Sequence, residues 1–182
     1  MAKLISKVYG DALFQSAKEA EALDRIYQEI SDLKLVFEQN PGLLKILESP
    51  KISREEKADA LKAVFSGKIS EMSMGFLMSI IEKCRQNELY AIFDYFIAKV
   101  KEDRKIGIAF VSSASELSGE QKEALVQKLI STTEYEVFEM HYQVEPDLLG
   151  GLRIRIKDRV VDSTIKNRLY QLKQDLLSVQ MR

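Results

Sequence analysis

The residue types that could carry out chemistry are few and far apart. His141 is the one histidine and Cys84 the one cysteine in 182 residues. A structural or catalytic metal centre needs three or four convergent ligands, and no second His or Cys stands near either. His141 lies in an alternating stretch beside Tyr142, which predicts an exposed or packed strand side chain. Cys84 falls among apolar residues at helical spacing and is expected to be a buried, inert thiol. A disulfide within the chain is impossible. Gly150-Gly151 has neither the spacing of a dinucleotide fingerprint nor a following P-loop lysine. With Glu145-Pro146-Asp147 it reads as a turn between two strands. The carboxylates are interleaved with lysines, as on solvated helix faces, and no pair is marked out for general acid–base work. The expectation is a chain with no catalytic residue, no cofactor-binding residue and no metal ligand.

The elements that would position any site are helices over the first hundred residues. Ile5, Val8, Tyr9, Ala12, Leu13 and Ala17 recur at three-four spacing and predict a helix over Lys3 to Glu21. A second runs from Leu23 to about Glu38 and stops at Asn40-Pro41, since proline disfavours helical geometry in the residue before it. Gly42 to Glu48 is a short third. Ser53-Arg54-Glu55-Glu56 is a capping box opening a fourth, which closes near Ser66-Gly67. The fifth is expected over Ser70 to Gln86 and the sixth over Glu88 to Arg104. From Ile106 the period changes to two. Ile106 to Val111, Val137 to Val144, and Leu152 to Ile156 followed by Val160-Val161 predict strands. Ser118 to Gln121 is a second capping box opening a helix. A last helix from about Asp162 or Ser163 carries Ile165, Leu169, Leu172, Leu176 and Val179. The fold class is therefore α+β: an N-terminal six-helix bundle over 1–105 and a small strand-and-helix domain over 106–182.

Composition narrows the function classes. Hydrophobic residues make up 46% and charged residues 30%, with net charge −1, so a packed soluble core is expected without the concentrated basic excess of a dedicated nucleic-acid surface. The N-terminus has no signal-peptide pattern, and no apolar run approaches the roughly 20 residues of a membrane span. Two helices carry excess apolar area. In the first, Leu4 and Phe14 lie off the face set by Ile5, Val8, Tyr9 and Ala12. In the fifth, Met74, Phe76, Leu77, Met78, Ile80, Ile81 and Cys84 cover roughly 200° of the wheel. Such a helix is either central in its bundle or also covered by a partner, and its methionines suit an adaptable groove. Arg153, Arg155 and Lys157 form a basic strand face, which keeps open a second reading as a stand-alone or RNA-associated adaptor.

Several segments, in order, resemble the delta subunit of bacterial F-type ATP synthases, a family related to the oligomycin-sensitivity-conferring protein. Asp147-Leu148-Leu149-Gly150-Gly151-Leu152 resembles the family's D-x-x-L-x-G-G, and Asp158 with Val160-Val161-Asp162-Ser163 its following turn. Val111-Ser112-Ser113-Ala114 with Leu117-Ser118, Phe76-Leu77 through Arg85, and Tyr9 with Ala12-Leu13 and Ala17 resemble three further segments. Lys157 departs from a usual glycine, Thr164 follows without one, and Gly10 and Gly75 replace more usual helix residues. The resemblance implies a non-catalytic stator connector without a cofactor, serving ATP synthesis coupled to hydrogen ion transport. It implies that an alpha subunit's N-terminal helix is received between the first and fifth helices, at Tyr9, Ala12, Leu13, Phe76, Leu77 and Ile80. It implies that the C-terminal domain, with its turn residues Asp147, Gly150, Gly151 and Asp162, meets the b subunits of the peripheral stalk. It further implies a single copy per complex, no nucleic-acid partner, and a place at the cytoplasmic face of the bacterial membrane held only through the complex.

Overall fold

The structure, a computed structural model, describes residues 2–171. It divides into two compact units, Met1–Lys101 and Glu102–Arg182. The division falls in the last turn of the sixth helix, slightly earlier than the change of period suggests. The reason is local: Glu102 pairs with Lys157 at 2.8 Å, and the Lys105 carbonyl accepts from the Glu136 amide at 2.9 Å, so residues 102–105 are tied to the strands.

The first unit comprises α1 (Ala2–Glu19), α2 (Leu23–Gln39), α3 (Pro41–Glu48), α4 (Arg54–Phe65), α5 (Glu71–Glu82) and α6 (Leu89–Asp103), whose final residues belong to the second unit. Local chemistry sets most boundaries. Asn40 closes α2 by donating its amide N–H and its side chain to the Val36 carbonyl, and Pro41 opens α3 at its first turn. The capping box at α4 forms: the Ser53 amide donates to the Glu56 carboxylate at 2.8 Å, and the Glu56 amide to Ser53 Oγ at 3.2 Å. The core gathers Ile26, Ile30, Leu33 and Phe37 of α2, Leu61 and Phe65 of α4, Leu77 and Ile80 of α5, and Ile92, Phe93, Phe96 and Val100 of α6. Phe37 meets Phe65 at 5.9 Å and Phe93 at 6.1 Å between ring centroids, both tilted.

Two expectations fail here. α5 stops at Glu82 rather than Gln86. The Arg85 amide donates to the Ile80 carbonyl at 2.9 Å and the Cys84 amide to Ile81 at 3.0 Å, a Schellman closure with Cys84 in the left-handed region at φ 54°. Cys84 is therefore exposed, not a buried helix residue. Its apolar spacing after Phe76 and Ile80 continues the helical pattern one step beyond the helix, and no glycine marks the stop.

The second unit is a four-stranded sheet of order β2-β1-β3-β4, built from β1 (Ile106–Ser113), β2 (Val137–Val144), β3 (Leu152–Ile156) and β4 (Arg159–Asp162). β1 and β2 are parallel, joined through α7 (Gly119–Thr132), while β3 and β4 form an antiparallel hairpin beside β1. Ser118 and Gln121 complete the capping box of α7. Gly107, Ala109, Val111 and Ser113 of β1 are buried on one face, where Lys122 of α7 lies over the Tyr142 ring at 5.1 Å. α8 spans 165–171 and is capped by Thr164, whose Oγ1 accepts from the Asn167 amide at 3.2 Å; it starts later than Asp162 or Ser163. Leu172, Leu176 and Val179 lie outside the described residues.

Candidate partner-binding faces

α1 presents an apolar arc wider than its contact with the bundle. Its inward side holds Ser6, Gly10, Leu13, Phe14 and Ala17. A Cβ on Gly10 would run into the Tyr95 ring of α6; the absent side chain lets α1 approach that ring closely, and Tyr95 Oη donates to Asp11 at 3.0 Å. Leu4 is 67% exposed, Val8 58%, and Ala12 is exposed, while Ile5 and Tyr9 are half-buried. The inward face is thus not the one marked by Val8 and Ala12, and Phe14, set apart by spacing, is a core residue. Periodicity of large apolar residues misassigned the face because the closest contact is made by Gly10.

The three candidates on α5 separate in the same way. Leu77 and Ile80, like Leu13 on α1, are fully inside the bundle's own core and form a floor rather than an available surface. Phe76 is half-buried and, like Tyr9, packs against that core at its margin, together with Met72, Met74 and Met78. Leu4, Val8 and Ala12 therefore supply the uncovered apolar area of α1, with Tyr9 at its partly covered border.

A carboxylate on α2 fixes where α5 begins. Glu29 accepts from the Ser70 amide at 3.0 Å and from the Ser70 and Ser73 hydroxyls at 2.6 Å each, and its other oxygen accepts from Arg25 Nε at 2.9 Å. Ser70 is the N-cap of α5, its Oγ accepting from the Ser73 amide. Burial pushes the Glu29 carboxyl up, but the hydrogen bonds from Ser70, Ser73 and Arg25 outweigh it and hold the group below the ordinary carboxylate value. Ser70-x-x-Ser73 is visible in sequence as a cap; its partner 41 residues upstream is not. A cavity of about 220 Å³ adjoins this clasp, lined by Leu33, Val36, Val64, Phe65 and Ile69 and rimmed by Glu29, Asp32 and Lys68.

In the second unit the glycine pair is a turn with a tertiary reason. Leu149, Gly150 and Gly151 all have positive φ. A Cβ on Gly151 would strike the backbone of Ser163 and Thr164, and one on Gly150 the Ile165 side chain. Ile165 N–H donates to the Gly150 carbonyl at 3.0 Å, and Ser163 N–H to Leu152 at 2.9 Å. Asp162 completes the join, accepting from Thr164 Oγ1 at 2.6 Å, from the Thr164 amide at 3.0 Å and from Arg153 Nε at 3.2 Å. Those bonds, first from the Thr164 side chain and then its amide, hold the Asp162 carboxyl below its ordinary value. Asp147 is exposed in the turn Pro146–Leu148. The hairpin between β3 and β4 turns at Lys157-Asp158, with Lys157 at φ 49°.

Arg153 pairs with Asp162 and, at 3.7 Å, with Glu145. Lys157 pairs with Glu102, and Arg155 lies over the Phe110 ring. The basic strand face is thus engaged within the unit rather than laid out as a row of free cations. His141 is exposed and stacked on Phe110. Among the described residues no three His, Cys, Asp or Glu side chains come together as metal ligands.

The model of the family "ATP synthase delta (OSCP) subunit" matches residues 5–176. The chain belongs to the ATP synthase delta (OSCP) family. It is 49% identical over 181 residues to the ATP synthase subunit delta of Lachnoclostridium phytofermentans, covering 100% of both chains. It is 33% identical to the subunit delta of Desulforamulus reducens, covering 96% of each, and 30% identical to the chloroplastic subunit delta of Guillardia theta, covering 94% of each. A chain in the cryo-EM structure of the Toxoplasma gondii mitochondrial ATP synthase hexamer shares the fold, with TM-score 0.73 at 17% identity over 94% of this chain and 97% of that one. As a delta (OSCP) subunit the protein is a non-catalytic component of the stator of an F-type ATP synthase, part of a membrane-associated complex. Among the described residues no helix is long and apolar enough to cross a membrane.

Proposed function

We propose that this delta (OSCP) subunit joins the catalytic head to the peripheral stalk, in one copy, at the cytoplasmic face of a bacterial membrane. The first unit receives the N-terminal helix of an alpha subunit, and the second meets the b subunits. So held, the head resists the rotor's torque, and ion flow drives ATP synthesis.

The observation that carries this reading is the uncovered apolar stripe Leu4, Val8 and Ala12 on α1, bordered by half-buried Tyr9. Residues four apart on one helix face are what an amphipathic partner helix needs to pack against. α5 supplies the adaptable border through Phe76 and its methionines, in a register set by the Glu29 clasp.

Calorimetric titration of the full chain with the alpha subunit's N-terminal peptide tests it. Wild type binds, and Val8→Asp loses at least about ten-fold in affinity while its unfolding midpoint is unchanged, because Val8 makes little of the core. Absence of binding by wild type, or full affinity in Val8→Asp, contradicts the assignment.

A further inference from the structure

The geometry points to a small-molecule site in the first unit, in the cavity between α2, α4 and the connection to α5. It takes an apolar α-amino acid, with an aromatic side chain in the cavity, the ammonium toward α2 and the carboxylate toward Lys68. The site is independent of the head and of the stalk.

The fold leaves this cavity and does not fill it. Its floor is core, for Leu33 is 2% exposed and Phe65 4%. Half-buried Val36 and Ile69 form its walls, and Val64, 37% exposed, stands at its mouth. Gly67, at φ 73°, turns the chain after α4, and the Lys68 amide donates to the Phe65 carbonyl at 3.0 Å. That turn brings Lys68 and Ile69 back onto the cavity. At about 220 Å³ it is smaller than the about 300–1,000 Å³ of an ordinary ligand pocket, but larger than the about 150 Å³ that takes a benzene ring. A ring with one or two further carbons fills it.

The rim divides its charge. Glu29 and Asp32 both come from α2, three residues apart and so on one face, while Lys68 comes from the connection that follows α4. The Glu29 carboxylate is already spent on Ser70, Ser73 and Arg25. Among the described residues Asp32 accepts from the neutral Gln28 amide alone, at 3.0 Å, and Lys68 meets no carboxylate. One unbalanced anion and one unbalanced cation therefore flank an apolar hole. A carboxylate head alone would be repelled by Asp32 and an ammonium head alone by Lys68; a zwitterion answers both. Asp32 and Lys68 are exposed, so the charged head stays hydrated at the rim and only the apolar part of the ligand is buried. Ile69 precedes Ser70, the N-cap of α5, so an occupied cavity braces the start of that helix and raises the melting temperature by mass action.

The test is titration of the isotope-labelled full chain with L-phenylalanine, followed by amide chemical shifts. Saturable shifts are expected at Val64, Ile69 and Ser70, with affinity at least about three-fold tighter than for phenylpropionate or phenethylamine, since each lacks one half of the head. Lys68→Glu is expected to remove the preference over phenethylamine. Val64→Trp, which plugs the mouth, is expected to abolish the shifts. Both sites are exposed, so melts without ligand should match wild type. No saturable shift in wild type would overturn the site. Shifts that persist in Val64→Trp would place the ligand elsewhere and overturn the cavity. Equal affinity for all three ligands would mean a hole that reads no head group, and would overturn the choice of ligand.

Discussion

The two units bury their apolar residues differently. In the first, four phenylalanines and a set of isoleucines and leucines from α2, α4, α5 and α6 are sealed together, while Leu4 and Val8 of α1 are the most exposed of the unit's large apolar residues. In the second, the fully covered residues of β1 are small, Gly107, Ala109 and Val111, and the one aromatic on that strand faces out. Leu152, Ile154 and Ile156 of β3 are only half-buried. The bundle seals most of its large apolar side chains in one core, while the sheet leaves a larger share of its own half-buried or exposed.

The largest effect should separate the two cores. Phe93→Ala removes a ring with no exposure at all and is expected to cost about 3–5 kcal/mol in urea unfolding. Phe110→Ala removes a ring that is nearly half exposed and should cost well under half of that. Equal losses would erase the contrast.

The clasp comes next. Glu29→Gln weakens several charge-assisted hydrogen bonds and is expected to cost about 1–2 kcal/mol. Its sign with pH follows from a folded value below the ordinary 4.5. The stabilisation is complete above that value and is lost as pH falls through the depressed one, so wild type should lose its advantage over Glu29→Gln below about pH 4.5. A constant difference down to low pH would deny the clasp its charge.

The smallest effect is at the end of α5. Cys84 holds a left-handed conformation that glycine adopts without strain. Cys84→Gly should raise stability by about 0.5–1 kcal/mol, read as a higher melting temperature. A decrease would mean the thiol packs usefully despite its exposure.

These cases also show what was legible in the residues alone. Capping boxes at Ser53 and Ser118 and the stop at Asn40-Pro41 are local, and the structure has them where their spacing says. The end of α5 was not legible, because a Schellman turn formed on cysteine leaves no glycine to read. The inward face of α1 was misassigned because the decisive contact, Gly10 against Tyr95, spans two helices and is made by the residue without a side chain. Glu29 was missed for the same reason: its partners lie 41 and 44 residues away. Gly150-Gly151 was legible as a turn, but what demands Gly151 is the backbone of Ser163 and Thr164 lying against it. Patterns of short range were readable; those that fix one element against another were not.

The central claim, that one chain grips two partners through its two units, is tested most directly by sedimentation of the full chain with the alpha-subunit peptide and the b-subunit segment together. The account predicts a ternary complex, from which Val8→Asp removes only the peptide. Competition between the two partners for one site, or loss of both in Val8→Asp, would contradict it.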